Sequence, residues 1–91
     1  MQSSICAAIK SKHVISFTYD SKERLVEPHA LGHNEDQHLA LQAWQLNGTT
    51  PGWRNFLVNQ ITGLSEANQV FQHVRPDYHP DGLKWQFVCR L

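Results

Sequence analysis

Short runs of residues with a period of two are the feature that most limits how this chain can fold. The clearest run, VISFTY at residues 14–19, puts Ile15, Phe17 and Tyr19 on one side of an extended backbone. Similar runs are found at 24–27, 39–44, 53–58, 61–64 and 83–91, and turn-forming residues separate them roughly every eight to twelve positions. This spacing predicts a mainly β fold, a small barrel or sandwich of five or six short strands.

One short helix precedes the strands in this prediction. Ser3 or Ser4 is a suitable N-cap, and Ile5 and Ile9 are four residues apart, so they share one face of a helix over residues 3–12. A helix of this length is unstable alone and has to pack on another element. We expect it to cover one open end of the barrel.

Strand breaks and chain length define the expected layout. Pro28 lacks an amide hydrogen, so the strand that contains it is expected to end there or to lie at a sheet edge, with a possible continuation at 29–31. Because 91 residues leave no room for a second core, we expect a single domain over 1–91. Its barrel core occupies 14–71, and a C-terminal loop and strand occupy 72–91.

Composition and the two cysteines predict a cytoplasmic protein with no membrane contact. No segment approaches the roughly 18 apolar residues that a membrane helix needs, and residues 1–5 lack the basic start and apolar run of a signal peptide. Cys6 and Cys89 form no CxxC pair, so reduced structural thiols are expected. Eight Lys and Arg residues balance eight Asp and Glu residues, which counts against a strong nonspecific grip on nucleic acid but leaves a local basic pocket possible.

Two arginines on predicted strands, Arg24 and Arg54, are the first candidates for ligand contact. A guanidinium group offers a planar fork of donors that matches phosphate or carboxylate in two-point contact. The alternative is a surface ion pair, for example Arg24 with Glu23 or Glu27.

Glu27 and His29 are separated by one residue, so on a strand they share a face and are expected to form a hydrogen bond that fixes the imidazole tautomer. A catalytic proton-transfer pair is disfavoured because no nucleophile accompanies it. His29, His33 and His38 match no compact zinc pattern, so we expect no metal and no cofactor.

Trp44 and Trp53 supply aromatic surface, which in single-strand binders stacks on bases while basic groups hold the backbone. The alternative is that such rings fill the core, which we expect for Phe56 and Trp85.

A set of ordered segments resembles the WYL domain family over roughly residues 5–71. The matching segments are Ile5 with Ala8-Ile9, Ile15-Ser16-Phe17-Thr18-Tyr19, Arg24-Leu25-Val26-Glu27-Pro28-His29, Leu39-Ala40-Leu41 with Trp44-Gln45, Gly52-Trp53-Arg54-Asn55-Phe56 and Ile61-Thr62-Gly63-Leu64. The chain looks closest to short free-standing members, whose C-terminal segment around a Tyr resembles Tyr78. The resemblance implies a barrel similar to Sm and SH3 folds and a bacterial regulatory or effector-sensing role. Characterised relatives are transcription regulators and defence-associated accessory proteins, some of which bind single-stranded nucleic acid.

The chain departs from the family pattern at two places. The Trp-Tyr-Leu triplet that names the family falls on residues 39–41, where the chain reads LAL, and the family's Phe-Arg-Leu-Asp-Arg-Ile run reads FLVNQI at 56–61. Arg24 and Arg54 are therefore what remains of the family's basic set.

The sequence thus predicts a non-enzymatic, ligand-sensing regulatory module that binds an anionic ligand, either a nucleotide or single-stranded RNA or DNA. The expected ligand-binding residues are Arg24, Glu27, His29, Trp44, Trp53 and Arg54. The alternative is a protein-interaction or homo-oligomerisation module with no nucleic-acid binding, in which the terminal strand at 83–91 pairs with another chain, for example in a homodimer. An enzyme ranks last, since no nucleophile, metal cage or glycine-rich phosphate loop is recognisable.

Overall fold

The computed structural model describes all 91 residues and consists of one helix, six antiparallel strands and two short 3-10 turns. The elements are α1 (Gln2–Ser11), β1 (His13–Tyr19), β2 (Lys22–His33), β3 (Leu39–Gln45), β4 (Gly52–Leu57), β5 (Thr62–Val70) and β6 (Gln86–Arg90). This confirms the predicted mainly β fold with one N-terminal helix. No helix is both long enough and apolar enough to cross a membrane.

Strand β2 is the centre of the sheet because it pairs with three other strands. The strand order is β4-β3-β2-β1-β5, and β6 pairs with β2 as well. Strand β1 pairs with the first half of β2, and β6 pairs with residues 30–33 in its second half. No ladder joins β4 to β5. The closed barrel therefore remains a prediction.

Strand β2 runs through Pro28 instead of ending there. Pairing with β1 stops at Val26 and pairing with β6 begins at Ala30, so Pro28 lies where no amide hydrogen is needed on that side. On the other side, Pro28 is opposite Ala43 and Ala30 is opposite Gln42, which makes His29 the extra residue of a β-bulge. The His29 side chain lies on the same side as that of Glu27, against the Trp53 ring.

The core lies between the sheet and α1. Ile5, Ala8 and Ile9 of α1 are buried, and the rings of Phe17 and Phe56 pack at nearly right angles with centroids 4.9 Å apart. The predicted N-cap at Ser3 or Ser4 is wrong. Met1 is the N-cap, with no side-chain hydrogen bond, and its carbonyl accepts the Ile5 amide, because the helix begins one residue earlier than predicted.

Cys6 of α1 and Cys89 of β6 form a disulfide, so the expectation of reduced thiols is wrong. The two residues are 83 positions apart in sequence, but α1 packs against β6 and brings their Cα atoms to 5.8 Å. That distance lies within the range a disulfide can bridge. The bond links the first element of the fold to the last.

Candidate functional site

The sheet register divides the six predicted ligand-binding residues between two faces. Glu27 lies opposite Trp44, and Trp44 lies opposite Trp53, across three neighbouring strands. Since neighbouring residues on a strand point to opposite sides, Arg24 and Arg54 lie on the other side of the same strands. We call the first group the aromatic face (Glu27, His29, Trp44, Trp53) and the second the arginine face (Arg24, Arg54).

His29 is the centre of the aromatic face and is fully buried. Its Nε2 accepts the backbone N–H of Arg75 at 3.2 Å, so the ring proton is on Nδ1, which donates to the Glu27 carbonyl at 2.9 Å. Burial lowers the pKa of this imidazole below its usual value of 6.5. His29 is therefore neutral, with both ring nitrogens satisfied.

Aromatic rings surround His29 on three sides. The Trp53 ring lies 4.9 Å from it, the Tyr78 ring 5.0 Å, and the Phe71 ring stacks on it at 5.3 Å. The Trp44 ring packs edge-on against Trp53 at 5.6 Å. These rings form a continuous aromatic cluster on the outside of β2, β3 and β4, in which Trp44 and Trp53 are half-buried.

The carboxylate of Glu27 does not pair with His29. The predicted hydrogen bond between the Glu27 carboxylate and the imidazole is therefore wrong, since the imidazole donates to the Glu27 backbone carbonyl instead. The carboxylate accepts both Nε and Nη2 of Arg75, at 2.8 and 3.1 Å. Glu27 is only 6% exposed, and the Arg75 guanidinium carbon lies 4.7 Å from the centre of the Trp44 ring.

Arg75 is the functional residue that sequence reasoning missed. It lies in the loop 72–85, which we call the strap because it crosses the aromatic face. The available signal was Glu27 itself: a carboxylate in the middle of a buried strand needs a cation. The sequence does not show which Lys or Arg pairs with Glu27, because Arg75 lies 48 positions away along the chain.

Tyr78 also attaches the strap to the sheet. Its hydroxyl lies 3.4 Å from the His29 carbonyl and 3.3 Å from the Leu91 carbonyl. The one hydroxyl hydrogen is shared between these two acceptors. Burial raises the pKa of this phenol above its usual value of 10.0, which keeps it a donor. The indole N–H of Trp53, by contrast, is buried without a hydrogen-bond partner.

On the arginine face, Arg24 is held by neutral groups. Its Nε and Nη2 donate to the Tyr19 carbonyl at 3.3 and 3.1 Å, and Nη1 donates to Oε1 of Gln45 at 3.2 Å. The guanidinium carbon is 5.8 Å from the ring centres of both Tyr19 and Phe56. The alternative of an ion pair with Glu23 or Glu27 is not what the structure contains.

Arg54 lies on the same side as Arg24, at the same end of the strands. It donates to the carbonyls of Trp53 and Thr50 at 2.9 and 2.6 Å. Gln45, which accepts from Arg24, is directly opposite Gly52, and a Cβ on Gly52 would lie only 3.2 Å from Arg54 Nη1. The side chains of Arg24, from β2, and Arg54, from β4, therefore both reach toward the Gln45–Gly52 pair.

The structure brings together no three His, Cys, Asp or Glu residues that could hold a metal ion. Of the three histidines weighed as a zinc site, His29 is enclosed in the aromatic cluster with both nitrogens engaged. The proton-transfer reading of Glu27 and His29 has no geometric support either, since the carboxylate is bound to Arg75.

Comparison with known proteins gives one match. The family model for the WYL domain matches residues 2–66, which include α1, β1 to β4, the first part of β5 and all six predicted ligand-binding residues. The strap, with Arg75 and Tyr78, lies beyond the matched region. No curated protein and no solved structure matches.

Proposed function

Since this chain belongs to the WYL domain family, we propose that it is a non-enzymatic ligand-sensing module whose arginine face binds an anionic ligand. WYL domains are known as ligand-sensing, non-catalytic regulatory modules of bacterial transcription regulators. The ligand is a nucleotide or a short stretch of single-stranded RNA or DNA. Arg24 and Arg54 contact its phosphates, and its binding is read out as regulation of transcription or defence.

One observation carries this proposal: neither arginine of the arginine face is neutralised by a carboxylate. The two ion pairs of the molecule join His13 to Glu66 and Arg75 to Glu27. Arg24 and Arg54 are bound by carbonyl and amide oxygens, which orient a guanidinium group without cancelling its charge. Each keeps further N–H donors for a ligand, since the group has five.

The aromatic contribution to binding differs from the one the sequence suggested. Trp44 and Trp53 lie on the opposite face, so a base stacked on them would not share a site with phosphates held by the arginine face. Tyr19 and Phe56, beneath Arg24, are the aromatic rings nearest to the proposed anion site. Glu27, His29, Trp44 and Trp53 then support binding indirectly, by fixing β2, β3 and β4 against one another.

Fluorescence anisotropy with labelled single-stranded RNA and DNA, and with nucleotides as competitors, tests the proposal at two salt concentrations. We expect micromolar or weaker affinity that falls gently with salt, because two phosphate contacts to a single strand give a log–log slope of only about −1.4. Arg54→Ala should abolish binding and Arg24→Ala should weaken it. Arg90→Ala, on exposed β6, is the matched control. Full binding by Arg54→Ala would remove the arginine face from consideration.

A second candidate, a homodimerisation module, is favoured by the edge of β6. This strand pairs only with β2, so its other edge is unpaired, and Val88 on it is 41% exposed. Such an edge can add a strand from a second copy. A dimer in light scattering that a Val88→Lys variant dissociates, together with no oligonucleotide binding, selects this function.

A further inference from the structure

Arg75 is held on the aromatic face in the way that a protein holds a ligand. The Glu27 carboxylate accepts two parallel hydrogen bonds from the guanidinium fork, and the Trp44 ring covers its flat side at 4.7 Å. A carboxylate in the plane and an aromatic ring above it are the two contacts that distinguish a guanidinium from other cations. The binding groups thus select a chemical class.

These groups belong to the sheet and do not depend on the strap. Glu27 and Trp44 are directly opposite each other in the β2–β3 ladder, and Trp53 follows on β4. Behind them, the hydrogen bond from His29 Nδ1 to the Glu27 carbonyl fixes the bulge from which the carboxylate projects. The strap supplies the arginine, and Tyr78 beside it packs against His29 and Trp53.

The strap is attached to the sheet mainly by side chains. Between Phe71 and Gln86 its backbone bonds are local turns, from Tyr78 N to Arg75 O, Gly82 N to His79 O and Leu83 N to Pro80 O, with the Arg75–His29 bond as the one link to the sheet. Most strap residues are exposed. A cleft of about 360 Å³ lies between residues 71–76 and Glu27. For the strap to move away, the bonds of Arg75 to Glu27 and His29 and the packing of Tyr78 on His29 have to break, while no backbone ladder has to open.

We propose that the aromatic face is a binding site for a guanidinium-bearing ligand, which Arg75 occupies as an intramolecular competitor. The ligand enters with its cation between Glu27 and Trp44 as the strap lifts. This site is independent of the proposed anion site, because it lies on the other side of the sheet and takes the opposite charge. Either proposal can fail without the other.

Because Arg75 occupies the site in the wild type, replacing Arg75 is the most direct way to make the site available to an added ligand. In Arg75→Ala, the Glu27 carboxylate keeps its buried position without a counter-ion, so an added cation that fits should bind and stabilise the fold. Methylguanidinium reproduces the fork of Arg75. Methylammonium carries the same charge without the fork, and is the matched control ligand.

The experiment is calorimetric titration and thermal melting of the full chain with each ligand. We expect Arg75→Ala to bind methylguanidinium at least tenfold more tightly than the wild type does, and at least tenfold more tightly than it binds methylammonium, with a matching rise in Tm. Arg75→Gln, which keeps more of the side chain, repeats the test if the alanine variant is poorly folded. Lys84→Ala, an exposed change in the same strap, should behave as the wild type.

The double variant Arg75→Ala, Glu27→Gln should lose methylguanidinium binding, since the carboxylate is gone. A blocked arginine tripeptide distinguishes two sources of the same chemistry: tighter binding than methylguanidinium indicates an arginine of a polypeptide, and equal binding indicates a small molecule. The proposal is overturned if neither Arg75→Ala nor Arg75→Gln prefers methylguanidinium to methylammonium, or if the preference survives when Glu27→Gln is added.

Discussion

Glu27 shows what a single charged residue demands of the fold around it. The residue is only 6% exposed, and an ionised carboxylate is stable there only with a cation and hydrogen bonds in place. Arg75 supplies both, and the same arginine donates its backbone N–H to His29. One loop residue therefore pairs with both buried titratable groups of β2, through its side chain at Glu27 and its backbone N–H at His29.

Removal of Arg75 should be costly for stability. Arg75→Ala leaves the Glu27 carboxylate buried without its partner, and we expect a loss of about 3 kcal/mol in the free energy of unfolding, at the lower end for a buried pair because Arg75 is one-third exposed. Urea denaturation measures this. Lys84→Ala should stay within about 0.5 kcal/mol of the wild type. A similar small change for Arg75→Ala would contradict the role assigned to the pair.

The lowered pKa of His29 should make stability depend on pH. The unfolded chain takes up a proton at this residue near pH 6.5, whereas the folded chain resists protonation because the imidazole is buried, with Glu27, Arg75 and Asp77 as the charged groups around it. The contribution of His29 is therefore fully present above pH 6.5. It is lost as the pH falls below 6.5 through the folded pKa.

Melting curves between pH 8 and pH 5 measure this dependence. His29→Gln should flatten the fall in Tm below pH 6.5, whereas His38→Gln, at an exposed position in the β2–β3 turn, should leave it unchanged. Equal slopes for the wild type and His29→Gln would show that another group is responsible.

For single residues, the sequence predicts which face of the sheet a side chain lies on better than it predicts which residue that side chain contacts. Glu27 and His29 share a side as expected from their spacing, and Arg24 and Arg54 share the other. Strand register also places the indoles on the other face of the sheet from the arginines, and registers across three strands cannot be read from local spacing. The Glu27–Arg75 contact depends on the path of a loop, which no periodicity describes.

Among the elements, β2 has the most complex surroundings. It pairs with β3 along one side and with β1 and then β6 along the other, and the change of partner falls at Pro28 and the His29 bulge. The strap returns the chain from β5 to β6 over the aromatic face. The second half of β2 therefore holds both β6 and the residues that bind Arg75.

Gly32 is where β2 and β6 approach most closely. A Cβ at this position would lie 2.7 Å from the Gln86 carbonyl oxygen and 3.0 Å from the Phe87 Cα, and backbone atoms cannot move aside as a flexible side chain can. Gly32→Ala should therefore push β6 from the sheet and cost about 1–3 kcal/mol.

Amide hydrogen exchange of residues 86–90 reports this change directly, since the loss should be concentrated in β6. Gly82→Ala is the control, because its Cβ would meet only the movable His79 side chain at 3.1 Å. Unchanged protection of β6 in Gly32→Ala would contradict the close approach.

Element boundaries show where sequence patterns succeed and fail. The helix and β1 were predicted to within one residue, since their periodicities are undisturbed. Strand β5 was predicted only over 61–64, because the polar residues that follow have low strand propensity. It is one strand, Thr62–Val70, since β1 pairs with it and its position at the end of the sheet leaves those polar side chains in water.

For the whole molecule, the Cys6–Cys89 bond has the largest expected effect on stability. It closes a loop with a sequence separation of 83, and restricting an unfolded chain of that length is worth about 4.5 kcal/mol in the chain-entropy relation. The sequence could not predict this bond, because it depends on α1 lying against β6. Reduction, or the double variant Cys6→Ser, Cys89→Ser, should lower the free energy of unfolding by about that amount. Urea curves of the double variant that match those of the oxidised protein would contradict it.

The same bond also decides how the molecule responds to force. If it is stretched from residues 1 and 91, tension in the oxidised protein passes from the start of α1 through the two sulfur atoms to the last residues of β6. The strands in between carry no load. In an optical trap, the oxidised protein should therefore extend by only a few residues, and adding a reductant should release about 290 Å of further contour length.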